Sequence, residues 1–384
     1  MAAALKSLWG KVGGGSGDTQ HADGFSKAAC DQLFPKTNPA VDGEECLRDC
    51  ETCTIKYPRK WSVNEDENMY GHIKGWSTHL IVATGKSDWV RDVADEKGSI
   101  MEAVDKCGVK PCNGKMMLSA SDMPVPNEHA APGTETSTTV LLLPTFTMFD
   151  NVTPSHVPHL IQTYVNVSPT NMTPLIHSDP PQRPPSAKSH KSHHSGAYSH
   201  AHPPPTPLIP RECPHDYLIL LCSHKTRDAR CGQSAPLLRR EFQRHLQPLG
   251  LYRDLHDERP GGCGIYFINH VGGHKFAANV LIYRRVGSAG VVSPPVIEQE
   301  KAMNSEQNGG VAGHEGGEAV EGNGGDKGPS KPPIREAAQC MWLARVRPED
   351  CENIVKYTIL QGKLVKPERQ LRGGFDRGRQ LVSW

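Results

Sequence analysis

Short apolar runs alternate with polar and glycine-containing stretches in two separate parts of the chain. In the first part, His79–Ala83 and Thr139–Leu143 have the length and composition of strands. Periodicity does not decide whether Val157–Val165 is a helix or a strand. A helix with breaks is predicted over Asp88–Cys107, because Ser87 directly before it can serve as the N-cap.

The second part of the chain has a clearer order of elements. Strands are predicted at Asp216–Cys222, Gly264–Asn269, Phe276–Arg284 and Met341–Val346, and helices at about Ser234–Leu249 and at Pro348–Leu360. A strand, loop, helix, strand, strand and last helix match a thioredoxin-like α/β sandwich. We therefore expect an α/β fold with two thioredoxin-like domains, the first of them degenerate.

Low-complexity segments divide the chain. Residues 178–210 are rich in histidine and proline, and residues 287–335 are rich in glycine, glutamate and proline. Such segments cannot bury enough apolar surface to offset the entropy of ordering them. The prediction is a flexible tail over 1–24, a first domain over 25–177, a disordered linker over 178–210, and a second domain over 211–384 with a disordered insert over 287–335.

Composition and charge exclude several classes of protein. The formal net charge is +1 with both signs mixed, which leaves no basic footprint for nucleic acid. No apolar stretch approaches the roughly 20 residues that span a bilayer, and the N-terminus lacks the apolar core of a secretory signal. Twelve cysteines without such a signal indicate metal binding or thiol chemistry rather than a disulfide framework.

Two boxes of metal-binding residues follow predicted strands. Cys222 and Cys231 form C-x8-C, and His270 and His274 form H-x3-H. Loops that follow neighbouring strands meet at one edge of an α/β sheet, where ligand sites usually lie. Thiolates with imidazoles suit either iron–sulfur iron or zinc. The pattern therefore predicts one site with four ligands.

The residues between the ligands fit a negatively charged inorganic centre. Lys225, Arg227 and Arg230 lie between the cysteines, where positive charge favours thiolate. Gly272 and Gly273 let the backbone turn tightly and approach a cluster closely, with N–H groups available to its sulfides.

Two rival sites use the same ligand types. A zinc finger normally spaces its cysteines by two to four residues, so C-x8-C is too wide for one. A Rieske site needs a C-x-H and a C-x-x-H box. Cys222 and His224 imitate the first, but the second occurs nowhere in the chain.

The stretch from Cys213 to the end of the chain resembles the sucrase/ferredoxin-like family of fungi and plants. The match is carried by Cys222, Cys231, His270–Asn279 and Trp342–Pro348, and in the N-terminal half by Cys50–Cys53 and His79–Trp89. The resemblance implies a C-terminal thioredoxin-like ferredoxin in which H-x3-H replaces the second cysteine pair of ordinary members.

The same resemblance implies a cofactor and its ligands. It implies a bis-histidinyl, non-Rieske [2Fe–2S] cluster bound by Cys222, Cys231, His270 and His274, with Gly272, Gly273 and Lys275 beside it. We therefore expect a redox carrier, rather than a stand-alone enzyme, that serves unidentified donor and acceptor proteins. Neutral imidazoles should raise the reduction potential above that of plant-type ferredoxins. Electron uptake should be coupled to proton uptake, giving a pH-dependent potential.

Alternative functions rest on other residues or another metal. Cys50 and Cys53 form a C-x-x-C pair that a thiol-disulfide oxidoreductase could use, and Cys46 extends the pattern to C-x3-C-x2-C. A structural zinc protein without a redox role is the third hypothesis.

The end of the chain predicts a partner. Leu381–Trp384 is similar to the tail by which cytosolic iron–sulfur proteins engage their assembly machinery, although Val382 departs from the usual pattern. This similarity predicts a cytoplasmic protein. A mitochondrial location is the alternative, since the N-terminus has two lysines and no early acidic residue.

Overall fold

The structure is a computed structural model that describes residues 24–126, 136–175, 207–273, 275–288 and 335–384. The predicted tail lies almost entirely outside the described residues, as do most of the predicted linker and of the predicted insert. In the part of the chain that is described, no helix combines the length and apolar character required to cross a membrane.

The described residues form thirteen strands. They are β1 Ser26–Lys27, β2 Thr78–Ala83, β3 Met116–Ser121, β4 Thr138–Leu143, β5 Thr147–Val152, β6 Pro210–Glu212, β7 Tyr217–Cys222, β8 Tyr252–Arg253, β9 Cys263–Ile268, β10 Val280–Arg285, β11 Ala337–Leu343, β12 Leu371–Asp376 and β13 Leu381–Val382. The strands predicted in both parts of the chain are confirmed, with ends shifted by a few residues.

Helices are fewer and mostly short. They are α1 Pro39–Asp42, α2 Ile100–Lys106, α3 Val157–Leu160, α4 Ala229–Leu246, α5 Cys351–Asn353 and α6 Pro367–Gln370. Turns of 3-10 helix lie at Glu44–Leu47, Val93–Asp95, Pro154–His156 and Pro348–Asp350, and π-helical turns at Ile161–Val165 and Ile354–Ile359. The ambiguous segment Val157–Val165 is therefore helical.

Two predicted helix starts were wrong. The hydroxyl of Ser99, not Ser87, accepts the backbone N–H of Glu102 and caps α2. Helix α4 begins five residues before the predicted Ser234, because the Asp228 carboxylate accepts a hydrogen bond from the backbone of the second helical residue. Pro236 lies inside α4, although proline is more common in the first turn of a helix.

The strands form one mixed sheet in the order β1-β13-β12-β11-β10-β7-β9-β3-β2-β4-β5-β6, with β8 beside β9. The N-terminal and C-terminal strands meet where β3 runs antiparallel to β9. This sheet with helices confirms the α/β class. The first strand pairs with the last, so the start of the described chain packs on the C-terminal half.

The same connectivity occurs in both halves. In the first half, β2 is parallel to β3 and antiparallel to β4, which is antiparallel to β5. In the second half, β7 is parallel to β9 and antiparallel to β10, which is antiparallel to β11. A helix, α2 or α4, connects each parallel pair. This repeat agrees with two related α/β units, and their thioredoxin-like identity stays a prediction.

The central strands are buried on both faces, which explains their unbroken apolar sequence. All residues of β7, β9 and β10 are buried. On one face, Ile219 and Leu221 pack with Phe242 of α4. On the other face, Leu220 packs with Tyr283. The strand ends are thus fixed by a rigid core.

Candidate metal centre

Two parallel strands deliver the predicted ligand boxes to one edge of the sheet. Cys222 is the last residue of β7 and is paired in register with Ile268, the last residue of β9. His270 follows two residues after β9. The topology therefore brings Cys222 and His270 to the same end of the sheet.

Cys231 reaches the same place from a helix rather than a loop. It lies in the first turn of α4, and its backbone N–H donates to the Asp228 carbonyl at 3.0 Å. The positive end of the helix dipole therefore lies beside this thiol. Sequence reasoning had placed Cys231 in the loop because it began the helix too late.

Three of the four predicted ligands converge. The Nδ1 atom of His270 lies 3.7 Å from the Cys222 sulfur and 3.9 Å from the Cys231 sulfur. The donor atoms of these three residues all lie within 4.8 Å of one another. Both cysteines are buried, whereas His270 is partly exposed. His274, the fourth predicted ligand, lies outside the described residues.

The two thiols are electrostatically unequal. A hydrogen bond from the Cys231 thiol is the largest cause that lowers the pKa of Cys222, and His270 adds a second hydrogen bond. The same contact with Cys222 raises the pKa of Cys231. The hydrogen bond between the two thiols therefore acts on their pKa values in opposite directions. A cation placed among these atoms would stabilise both sulfurs as thiolates.

His224 positions His270 and is not grouped with the ligands. Its Nδ1 accepts the backbone N–H of His270 at 3.2 Å, and its Nε2 donates to the Trp89 carbonyl at 3.0 Å. Both ring nitrogens are therefore used within the protein. These hydrogen bonds give His224 a structural role, which explains its position in a C-x-H pattern that resembles half of a Rieske site.

A buried arginine supports the glycine loop. Arg372 of β12 donates through Nη1 to the Gly272 carbonyl at 3.1 Å and to the Asn279 side-chain oxygen at 2.8 Å. Trp342 Nε1 also donates to that oxygen, at 3.0 Å. Gly272 and Gly273 have φ values of 91° and 77°, the left-handed region that favours glycine. A Cβ atom on Gly273 would lie only 2.6 Å from Arg372 Nη2.

Arg372 also supplies charge to the site. Burial lowers its pKa to about 10, and Cys222 opposes that shift by stabilising the charged guanidinium. Sequence reasoning missed Arg372, since it lies about a hundred residues after the glycines and carries no local spacing signal. Its position follows only from the pairing of β12 with β11.

The predicted basic residues have other partners. Arg230 pairs with the Asp228 carboxylate at 2.8 Å, and Arg227 donates to the Arg91 carbonyl at 3.0 Å. Lys275, predicted beside the cluster, forms an ion pair with Glu67 at 2.9 Å.

The cysteines do not form disulfide bonds with one another. All twelve are free thiols. Cys50 lies beside His245 and Glu352, a grouping that the predicted C-x3-C-x2-C pattern did not include.

The last residue is packed against the sheet. The Trp384 ring lies 4.8 Å from the Trp76 ring and 6.5 Å from the Phe375 ring, measured between centroids. The predicted recognition tail is therefore partly buried.

Comparison with known proteins identifies the family. Residues 69–373 match the family model described as sucrase/ferredoxin-like. Actin patches distal protein 1 of Saccharomyces cerevisiae is 30% identical over 262 residues, 65% of this chain and 75% of that protein. Altered inheritance of mitochondria protein 32 of Clavispora lusitaniae is 27% identical over 161 residues, 42% of this chain and 37% of that protein. No solved structure matches. Since the family model covers most of its length, the chain belongs to the sucrase/ferredoxin-like family.

Proposed function

We propose that the chain binds a [2Fe–2S] cluster through Cys222, Cys231, His270 and His274 and carries single electrons between partner proteins. The observation that carries this proposal is the convergence of two buried sulfurs and one imidazole nitrogen from β7, α4 and the loop after β9. Soft thiolates with imidazoles are a donor set that iron–sulfur iron accepts. When bound, the cluster would supply a one-electron redox couple.

The surrounding residues suit a redox centre. The two sulfurs are buried, whereas His270 is partly exposed and gives a partner protein a route of approach. Arg372 keeps a positive charge near Cys222, which favours the reduced, more negative form of a cluster. Two neutral imidazoles in place of thiolates act in the same direction.

A mononuclear zinc site is the second candidate, and the compactness of the ligands favours it. Sulfur and nitrogen ligands on one tetrahedral zinc are separated by about 3.5 Å, close to the observed 3.7 and 3.9 Å. A two-iron cluster with the cysteines on one iron requires the His270 ring to lie farther from the sulfurs. The two candidates therefore differ in both metal content and ligand spacing.

Anaerobic purification with metal and sulfide analysis tests the proposal. We expect about two irons and two sulfides per chain and an EPR signal after reduction with dithionite. Cys222→Ala should abolish the bound iron. Cys263→Ala is the matched control, because Cys263 is equally buried but begins β9 at the end away from His270.

Two outcomes would contradict the proposal. One is a colourless protein with zinc and no sulfide. The other is equal iron in the Cys222→Ala chain and in the Cys263→Ala chain. His270→Cys should keep a cluster but lower its potential, because a thiolate adds negative charge.

We also propose that the cytosolic iron–sulfur assembly machinery recognises the tail that ends at Trp384, and hence that the protein is cytoplasmic. The Trp384 ring would have to leave Trp76 to be recognised. Deleting Trp384 should lower the iron content of protein made in cells, while chemical reconstitution of the purified chain restores it. Equal iron content in cells with and without Trp384 would contradict this role. The mitochondrial alternative predicts co-purification with mitochondria.

A further inference from the structure

A second group of metal-binding side chains lies at the other end of α4. The Cys50 sulfur, an imidazole nitrogen of His245 and a carboxylate oxygen of Glu352 all lie within 4.8 Å of one another. His245 is in the last turn of α4, whereas Cys231 is in its first turn. At 1.5 Å per residue the two positions are about 20 Å apart along the helix, so the groups are separate.

A guanidinium nitrogen contacts two members of this second group and one further carboxylate. Arg244 Nη2 is 3.3 Å from the Cys50 sulfur, 3.0 Å from His245 Nε2 and 2.8 Å from Glu241 Oε2. One sulfur, one nitrogen and one carboxylate oxygen therefore surround a single cationic atom. Charge-assisted contacts of this kind hold the donors together without a metal.

Two of the donors are more buried than the arginine. Glu241 is 1% exposed and Cys50 is 9% exposed, whereas the Arg244 side chain is 41% exposed. His245 is partly exposed and Glu352 is exposed. The guanidinium can therefore move out to solvent while the Cys50 and Glu241 side chains stay in place. A buried carboxylate left without a cation would be costly, so another cation should replace the one that leaves.

The donor set and its spacing suit zinc. Thiolate, imidazole and carboxylate are all zinc ligands, and sulfur and nitrogen on one tetrahedral zinc are about 3.5 Å apart. The observed distance from the Cys50 sulfur to His245 Nε2 is 3.9 Å.

We propose that Cys50, His245 and Glu352 form a mononuclear zinc site, with Glu241 as the fourth donor and Arg244 as the cation that occupies the site when zinc is absent. Glu241 Oε2 lies 3.5 Å from His245 Nε2, within reach of the same ion. This site is independent of the proposed iron–sulfur ligands. It uses one cysteine of the C-x-x-C pair and leaves Cys53 as a buried thiol.

Zinc affinity tests the proposal. Zn²⁺ is titrated into the full chain carrying Cys222→Ala and Cys231→Ala, which removes the sulfurs of the other centre, in competition with a colorimetric chelator. We expect one zinc per chain, and loss of that zinc in Cys50→Ala or His245→Ala. Cys112→Ala is the control, since Cys112 is an exposed cysteine outside both groups. The same variants are compared in the chain with native Cys222 and Cys231, in case the double variant folds poorly.

Arg244→Gln gives the decisive result. Removing the competing cation should tighten zinc binding roughly tenfold, the value of about one charge-assisted hydrogen bond. An unchanged or weaker zinc affinity overturns the zinc proposal. A slower reaction of Cys50 with iodoacetamide in the same variant would then show that Arg244 activates a reactive thiol. Equal zinc binding by the Cys50→Ala chain also overturns the zinc proposal. In the chain with native Cys222 and Cys231, iron and sulfide contents should be unchanged by Cys50→Ala, His245→Ala and Arg244→Gln. The zinc proposal and the iron–sulfur proposal can therefore fail separately.

Discussion

The two halves of the sheet share a connectivity but differ in their donor atoms. The backbone N–H of Thr84 donates to the Ser121 carbonyl at 2.8 Å, and the N–H of Ser223 donates to the Ile268 carbonyl at 3.0 Å. These equivalent bonds align β2 with β7 and β3 with β9. Ala83 in the first half therefore stands where Cys222 stands in the second.

The junction between the two halves contains a second pair of equivalent hydrogen bonds. The Asp122 carboxylate accepts the Phe267 N–H at 2.7 Å, and the Asn269 side-chain oxygen accepts the Ala120 N–H at 3.0 Å. The residue that follows each strand thus accepts a backbone N–H from the other strand, where β3 runs antiparallel to β9. The residue after Asp122 is a methionine, whereas the residue after Asn269 is His270. The first half has the frame of the candidate centre without its ligands.

The first half instead contacts the loop that follows Cys222. The Ser223 hydroxyl donates to the Ser87 carbonyl at 2.7 Å, and the Trp89 carbonyl holds His224. The Asp88 carboxylate accepts the N–H and the hydroxyl of Thr226 at 3.0 and 2.8 Å. One half therefore supplies the donor atoms of the centre, and the other half fixes the loop that follows Cys222.

Among the residues that support the ligands, the glycine loop gives the largest expected effect. Gly272→Ala and Gly273→Ala both place a Cβ at positive φ, which costs about 1–2 kcal/mol. Only the Cβ at Gly273 meets Arg372, since nothing lies within 4 Å of one at Gly272. Displacing the buried guanidinium should cost a further 2 kcal/mol or so. Iron per chain after reconstitution should therefore be much lower in Gly273→Ala than in Gly272→Ala.

Equal iron content in the two glycine variants would show that Arg372 does not support the loop. A thermal melt of each variant without iron separates this effect from a general loss of folding. If Gly273→Ala loses iron but has the same melting temperature as Gly272→Ala, Arg372 acts on the metal centre rather than on the stability of the whole fold.

The sequence predicted what depends on local pattern. The strands were found because their residues are buried on both faces and hence continuously apolar. The approach of Cys222 to His270 followed from their positions at the ends of neighbouring strands, whereas Cys231 reaches them from the first turn of α4. The start of α4 was missed because the Asp228 cap outweighs the signal of a proline eight residues later.

Long-range support could not be predicted in the same way. Arg372 reaches the glycine loop only through the pairing of β12 with β11, and no spacing rule links residues so far apart. The segment His79–Trp89 was recognised as part of the family pattern, but its role was not. Its contacts with the second half supply a physical reason for it: Asp88 and Trp89 hold the loop that follows Cys222.

A smaller effect is expected from the first half itself. Asp88→Ala removes both acceptors of Thr226 and should loosen the loop between Cys222 and Cys231 by roughly 1 kcal/mol, or about fivefold in an equilibrium. The rate at which a chelator removes iron from the reconstituted chain should rise by a similar factor. Asp92→Ala is the matched control, because that carboxylate caps a turn within the first half by accepting the Ala94 N–H at 3.2 Å. Equal rates for the two variants would mean that the first half is only a neighbour of the centre, whereas a faster loss confined to Asp88→Ala would make it a structural part of the centre.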